Sequence, residues 1–336
     1  MMSKSSTTCT HTPRVAEAVA SGILRDSFSP LRIHATSVRL ATLVLFVIAT
    51  IGVPNFASAS NIAAIIYAAA TVGIAAVGLA TITLSGNLFS LSLGATAAFA
   101  SILFASFVSS GIYLAVASAL GMGVLVGLAQ GAAIGMMRCN PIITSIAVAS
   151  MVTGIASTLS GGRTIMGQGD TSWLGSGVIV PGLPNQALVF LAVALVLDLI
   201  VQRMRIGREL RLTGSNPVAA QMAGLRTKSA VVMANVISAT TAAAAGILIA
   251  AQSSTGNLLV GADLDFNAIS AVLVGGIAIA GGRGRVLDAA VGALFLALIG
   301  NILLVNNFSY EVQLMVKGLA VLLSVALGAM LMRMRR

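Results

Sequence analysis

Charge is what this 336-residue chain has least of: 8% of its residues are Asp, Glu, Lys or Arg, against roughly a quarter in an ordinary soluble domain. Aromatic residues make up only 4%, with a single Trp. The two cysteines, Cys9 and Cys139, stand far apart and form no CxxC or metal-ligand spacing, so neither a disulfide framework nor a zinc site is supported. The two histidines, His11 and His34, both fall near the N-terminus, and HExxH and GxSxG are absent. That removes the usual grounds for an intramembrane hydrolase. No GxxxxGK[ST] occurs, and the nearest look-alike, "GLRTKS" from Gly224, has the wrong spacing. The chain therefore has no loop of that type to cradle ATP phosphates. The Gly-rich run "LVGGIAIAGGRG" is no dinucleotide fingerprint either, since Leu287 stands where the last Gly of G-x-G-x-x-G would fall.

What is present is apolar and small. Hydrophobic residues reach 57%, and there are 35 glycines, the composition of helices packed closely in lipid. Residues 1–37 are Ser/Thr-rich and lack an apolar run near their start. They read as a disordered cytoplasmic tail rather than a secretory signal, and Glu17 and Asp26 argue against a transit peptide. Residues 38–336 read as an all-α polytopic membrane domain, because a hydrocarbon core takes roughly 20 apolar residues per helix. Candidate spans lie near 38–56, 61–84, 88–108, 111–137, 141–160, 187–201, 229–250, 266–280, 286–304 and 313–332, about ten in all. The segments 187–201 and 266–280 are short for a crossing.

Basic residues concentrate in cytoplasmic loops. With the N-terminus inside, one face receives Arg39, Arg138, Arg203, Arg205, Arg208, Arg211, Arg226, Lys228, Arg283 and Arg285. The other receives Arg163 with Asp170, Asp263, Asp265 and Glu311. This asymmetry predicts an even number of spans with both termini cytoplasmic. It also assigns the net charge of +10 to topology, leaving no basis for a nucleic-acid partner. Trp173 in the outer loop 161–186 is a candidate interfacial anchor.

The longest inner loop, 202–228, contains "GRELRLTGSNPVAAQMAGL". Ser215 or Asn216 can cap a helix and Pro217 can occupy its first turn. Gly224 can then end a short helix through "VAAQMAG". On the residues alone this is either a topology-setting basic loop or a docking element. The order Gly207, Arg208, Gly214, Asn216, Ala219, Ala220, Gly224 resembles the cytoplasmic coupling segment of the ribose-type (monosaccharide) ABC transporter permeases. A second stretch, "GADLDFNAISAVLVGGIAIAGGRG", resembles another signature of that family, with Asp265 in place of its Glu. Lys317 and Gly318 match a third. One landmark departs: "LSGNLFSLSLG", Leu84 to Gly94, is one residue longer than the family's L-S-G-G-I-D-L-S-V-G and carries Ser90 in place of Asp.

The resemblance, spanning roughly residues 38 to 330, implies the permease subunit of a binding-protein-dependent ABC importer in a bacterial inner membrane. Such a subunit is no enzyme and binds no cofactor itself. ATP belongs to a separate ATPase subunit, a substrate-binding protein delivers the solute, and a second permease copy or related chain completes the pore. The implied ATPase-coupling residues are Gly207, Arg208, Arg211, Gly214, Asn216, Ala219, Ala220 and Gly224. A sugar-like solute needs uncharged hydrogen-bond partners at membrane depth, for which Asn87, Phe89, Ser90, Ser92, Asn235 and Asn301 are candidates. Each such polar residue can equally bond a neighbouring helix. Arg163, Asp170, Asp263 and Asp265 are candidates for docking the binding protein. Asp198 and Asp288 are expected to pair with Arg203 and Arg285. The rival class, an ion-gradient-driven secondary transporter, would use one of those two carboxylates as its ion site.

Overall fold

The computed structural model describes residues 30–180 and 183–333. The expected tail therefore lies, up to residue 29, outside the described residues. The first helix, α1 (Pro30–Gly52), begins ahead of the expected boundary at residue 38. It is followed by α2 (Ala59–Leu84), α3 (Leu93–Phe107), α4 (Ile112–Gly135) and α5 (Pro141–Ser160). A loop region carries β1 (Ile165–Met166), the single turn α6 (Ser172–Gly175), β2 (Val178–Val180) and β3 (Leu183–Pro184). Then come α7 (Asn185–Arg203), α8 (Arg205–Ser215), α9 (Pro217–Met222), α10 (Thr227–Ser253) and β4 (Thr255–Gly256). The chain closes with α11 (Leu264–Val274), α12 (Val286–Val305) and α13 (Tyr310–Arg333). Among the described residues nine helices are long and apolar enough to cross a membrane. The expected span at 266–280 is instead the 11-residue α11.

The bundle is organised around α10, which packs on α4, α2 and α3. Every residue of α2 from Gly73 to Leu84 is buried, so this half of the helix is enclosed on all sides, as a central helix must be. The α4–α10 contact depends on a stripe at four-residue spacing, Gly123, Gly127, Gly131 and Gly135. A side-chain carbon at Gly131 would come within 2.9 Å of the Val232 Cα, and one at Gly135 within 2.8 Å of the Lys228 carbonyl oxygen. In lipid, where apolar burial gives helices no preference for each other, such backbone proximity is what van der Waals attraction and lipid entropy act on.

Two chain passages are discontinuous. At 1.5 Å per residue α11 spans about 16 Å and α3 about 22 Å, against a hydrocarbon core about 30 Å thick. Helix α3 reaches spanning length only with the 3-10 turn Val108–Ser110 that continues it. The remainder is covered by non-helical backbone: residues 85–92 lead into α3, and 257–263 lead into α11. These passages run side by side in opposite directions. Gly256 lies against Ser101, and Gly261, with φ +82°, lies against Gly94, where a side-chain carbon would meet the carbonyl oxygen at 3.0 Å. Irregular backbone at membrane depth is tolerable only inside protein or along a cavity, and here it is enclosed by α2, α4, α10 and α12.

The two ends of the bundle are distinct. One gathers the C-terminal ends of α2, α4, α7 and α11 with α8, α9 and the starts of α10 and α12. The other carries two small antiparallel pairings, β1 with β4 and β2 with β3. The basic residues Arg138, Arg203, Arg205, Arg208, Arg211, Arg226, Lys228, Arg283 and Arg285 all fall at the first end, matching the partition read from the sequence.

Candidate coupling and permeation site

The polar island folds as two helices rather than one. In α8 the buried residues Gly207, Leu210, Thr213 and Gly214 recur at helical spacing and face the bundle. Gly207 rests on the backbone of Val201. Arg211 donates from Nη2 to the Gly284 carbonyl at 2.8 Å, while Arg208 is exposed. The chain breaks at Asn216, where Pro217 cannot supply the N–H that a continuous helix requires. Asn216 Oδ1 accepts the Ala219 N–H at 3.0 Å and so caps α9, and Gly224 leaves the helix at φ +73°. Of the expected docking residues, Ala220 is buried and Ala219 is exposed beside Val218 and Met222. Of the two expected caps Asn216 serves, while Ser215 belongs with Thr213 and Gly214 to the C-terminal turn of α8.

Gly214 is where the landmarks meet. A side-chain carbon there would stand 2.7 Å from the Gly282 nitrogen and 2.9 Å from the Gly86 nitrogen. Gly282 donates its N–H to the Leu84 carbonyl at 3.0 Å. Gly86, Gly281 and Gly282 all adopt positive φ, at +81°, +86° and +71°. The end of α2, the end of α8 and the loop before α12 thus touch through backbone alone. Nothing flexible lies between them to absorb a displacement.

Beyond Gly86 the crossing passage reaches a closed polar cluster. Ser92 donates to Gln130 Oε1 at 2.7 Å. Gln130 Nε2 donates to Ser90 Oγ at 2.9 Å and to Asn235 Oδ1 at 3.0 Å. The two serine hydroxyls are 2.9 Å apart, and Asn235 donates to the Val231 carbonyl. Ser90, Ser92, Gln130 and Asn235 are all buried. Three of the expected path residues are therefore brought together, but as one another's partners. Asn87 and Phe89 stand apart on the same passage, half-buried, with Asn87 donating to Ser85 Oγ. Asn301 is elsewhere, in a reciprocal amide pair with Asn61 at 3.0 and 2.8 Å between α12 and α2.

Among the docking candidates, Asp265 lies deepest. Its two carboxylate oxygens accept the N–H groups of Leu93 at 2.8 Å and Gly94 at 3.2 Å, placing a negative charge on the N-terminus of α3, where the helix dipole favours it. Asp263 accepts from the Tyr310 hydroxyl. Asp170 accepts from the Ser172 hydroxyl and amide, which hold its carboxyl below the usual carboxylate range. Arg163 is exposed at the same end.

The expected ion pairs are rearranged. Asp288 pairs with Arg39 at 2.5 Å, and Asp198 accepts from Gln202, to which Arg285 in turn donates at 3.0 Å. Both carboxylates lie at the basic end, where Asp288 takes its donor from another helix, α1, and Asp198 takes its donor from one turn along its own helix, α7. Gln130, Asn61 and Arg39 were missed as partners. Gln130 had a signal, since an amide in the middle of the otherwise apolar α4 needs a partner. The pairing of Arg39 with a residue 249 positions away had none.

Residues 61–325 match the family model described as "Branched-chain amino acid transport system / permease component". The chain belongs to this permease family. The permease is 31% identical over 242 residues to the galactofuranose transporter permease protein YtfT of Escherichia coli (strain K12), covering 69% of each chain. It is 27% identical to the probable ABC transporter permease protein y4mJ of Sinorhizobium fredii, over 90% of this chain and 92% of the other. It is 28% identical to the ribose import permease protein RbsC of Haemophilus influenzae, over 85% and 90%. No solved structure matches. The permease is thus a multi-pass cell-membrane protein and the transport subunit of an ABC importer, not an enzyme.

Proposed function

We propose that the permease forms the translocation path for a sugar or sugar-like polar solute and that α8–α9 couples it to ATP hydrolysis on a separate subunit. The basic end then faces the cytoplasm, as the positive-inside rule requires, with both termini on that side. The observation that carries the reading is the backbone junction at Gly214. A push on the exposed α9 is passed without slack to Gly86, which begins the crossing passage, and to Gly281–Gly282, which precedes α12. Gly207, Arg208, Arg211, Gly214, Asn216, Ala219, Ala220 and Gly224 form this coupling unit. ATP is bound by the partner, and the permease itself binds no cofactor.

The family description names amino acids while two relatives' names specify sugars. The cluster of Ser90, Ser92, Gln130 and Asn235 favours the sugar, since it offers neutral donors and acceptors and no counter-charge for an ammonium or carboxylate. Asn87 and Phe89 line the approach from the coupling end, and the serine–amide cluster holds the passage shut in the state seen. Asn301 serves the α2–α12 contact more directly than the path.

A solute-binding protein docks at the opposite end, where Arg163, Asp170 and Asp263 lie, and Asp265 serves chiefly to cap α3. Outward apolar residues on α5 and α13, among them Met151, Leu159, Leu322 and Leu323, are covered by lipid and by a second permease chain. Alternating access then requires two packings of this bundle, each favoured by a different partner. The test is uptake of radiolabelled sugar into vesicles holding the permease, its ATPase and the binding protein. Uptake is expected only with ATP and binding protein together. Uptake driven by a proton or sodium gradient alone would overturn the proposal in favour of a secondary transporter.

A further inference from the structure

A cleft of about 400 Å³ opens at the basic end between α4, α9 and α10, beside the Gly86–Gly214 junction. Two cations line it: Arg138, just past the end of α4, and Lys228, in the first turn of α10. No carboxylate is on its wall, and neither cation is in a salt bridge among the described residues. A second observation points to a ligand. Thr213, also on the wall, is 5% exposed, yet its hydroxyl has no hydrogen-bond partner. A buried hydroxyl without a partner is costly, and an anion held by the two cations would supply the acceptor.

The cleft continues into a larger groove that shares Arg138, Lys228, Gln221 and Thr227 and adds a third cation, Arg226, beside the apolar side chains of Met136, Leu225 and Val232. Both lie at the ends of spanning helices, which the proposed topology sets at the level of the cytoplasmic headgroups. Cations grouped beside apolar side chains, at that depth, match the two halves of an anionic phospholipid. Basic pockets between transmembrane helices are known to take such headgroups. We propose that this cleft is a binding site for the headgroup of an anionic phospholipid, with Arg138 and Lys228 holding the phosphate, Thr213 donating to it, and the acyl chains lying along Met136 and Val232. Since Thr213 immediately precedes Gly214, occupancy would bear on the junction that α8 makes with the crossing passage.

The test reads lipid retention, so it is independent of which solute is carried and of whether α8–α9 couples to an ATPase. Purified permease in detergent is exposed to phosphatidylglycerol, phosphatidylcholine or inorganic phosphate and weighed by native mass spectrometry. Phosphatidylglycerol is expected to be retained in preference to phosphatidylcholine, and Arg138→Gln and Lys228→Gln are expected to weaken retention about fivefold each. Thr213→Val should weaken it further, while Arg203→Gln, which removes a charge at the same end outside the cleft, should not. Equal retention of both lipids, or equal losses from Arg203→Gln and the cleft variants, would overturn the proposal. Capture of inorganic phosphate without preference for phosphatidylglycerol would overturn the lipid assignment. So would cleft variants that keep the lipid but fail to assemble with the ATPase, since the cleft would then belong to a protein contact.

Discussion

Single side chains in this permease are spent on joining pieces of backbone that would otherwise be unsupported in lipid. Asp265 is the clearest case, because two of the free N–H groups at the start of α3 are accepted by its carboxylate. A hydrogen bond to a charged acceptor contributes about 1.5–3 kcal/mol. Asp265→Ala is expected to lower stability by about 2 kcal/mol in that range, read as a lower thermal midpoint in detergent. Asp265→Asn should recover part of it, because one acceptor remains. Gln130 plays a similar role for the crossing passage. Replacing it with Leu leaves the buried Asn235 oxygen without a donor, a loss of about 1–3 kcal/mol visible in the same measurement. Its transport phenotype would separate a purely structural cluster from one that also meets the solute. Stability lost with the substrate dependence of the remaining uptake unchanged marks the former.

Elements were legible where a long apolar run exceeded the membrane thickness, and less so where it did not. The expected spans at 141–160 and 286–304 correspond to α5 and α12 to within a residue, because Asn140 with Pro141 and Arg285 punctuate them. The segment 266–280 read as a span because its apolar residues continue past Val274. Gly276, at positive φ, turns the chain out of the helix, and Gly281 and Gly282 keep it in a loop whose partners, Gly86 and Ser215, no local pattern shows. The island was legible as a capped helix at Asn216 and Pro217. That α8 is a helix as well was written in its spacing of Gly207, Leu210 and Gly214, obscured by the arginines between them. Asn216→Ala removes the α9 cap at a cost of about 1 kcal/mol, and is expected to increase amide exchange in residues 217–222 while leaving α8 protected. At the α4–α10 interface Gly131→Leu would force apart two backbones, with an overpacking penalty of about 1–3 kcal/mol and a lower thermal midpoint.

At the scale of the whole molecule, two discontinuous passages cross the bundle in opposite directions, and a docked pair of short helices touches the base of one and the loop after the other. Stiff helices surround them, so the non-helical segments 85–92 and 257–263 are where the bundle can change packing with least cost to the rest. Everything proposed about transport depends on motion at α8–α9 reaching those segments through Gly214. The direct measurement is ATP hydrolysis by the assembled importer, with and without solute-loaded binding protein, for Gly214→Val against the unaltered chain. If the junction transmits the motion, Gly214→Val still assembles with the ATPase, but stimulation by loaded binding protein falls to the unstimulated rate. Full stimulation in an assembled, folded Gly214→Val complex would contradict the account.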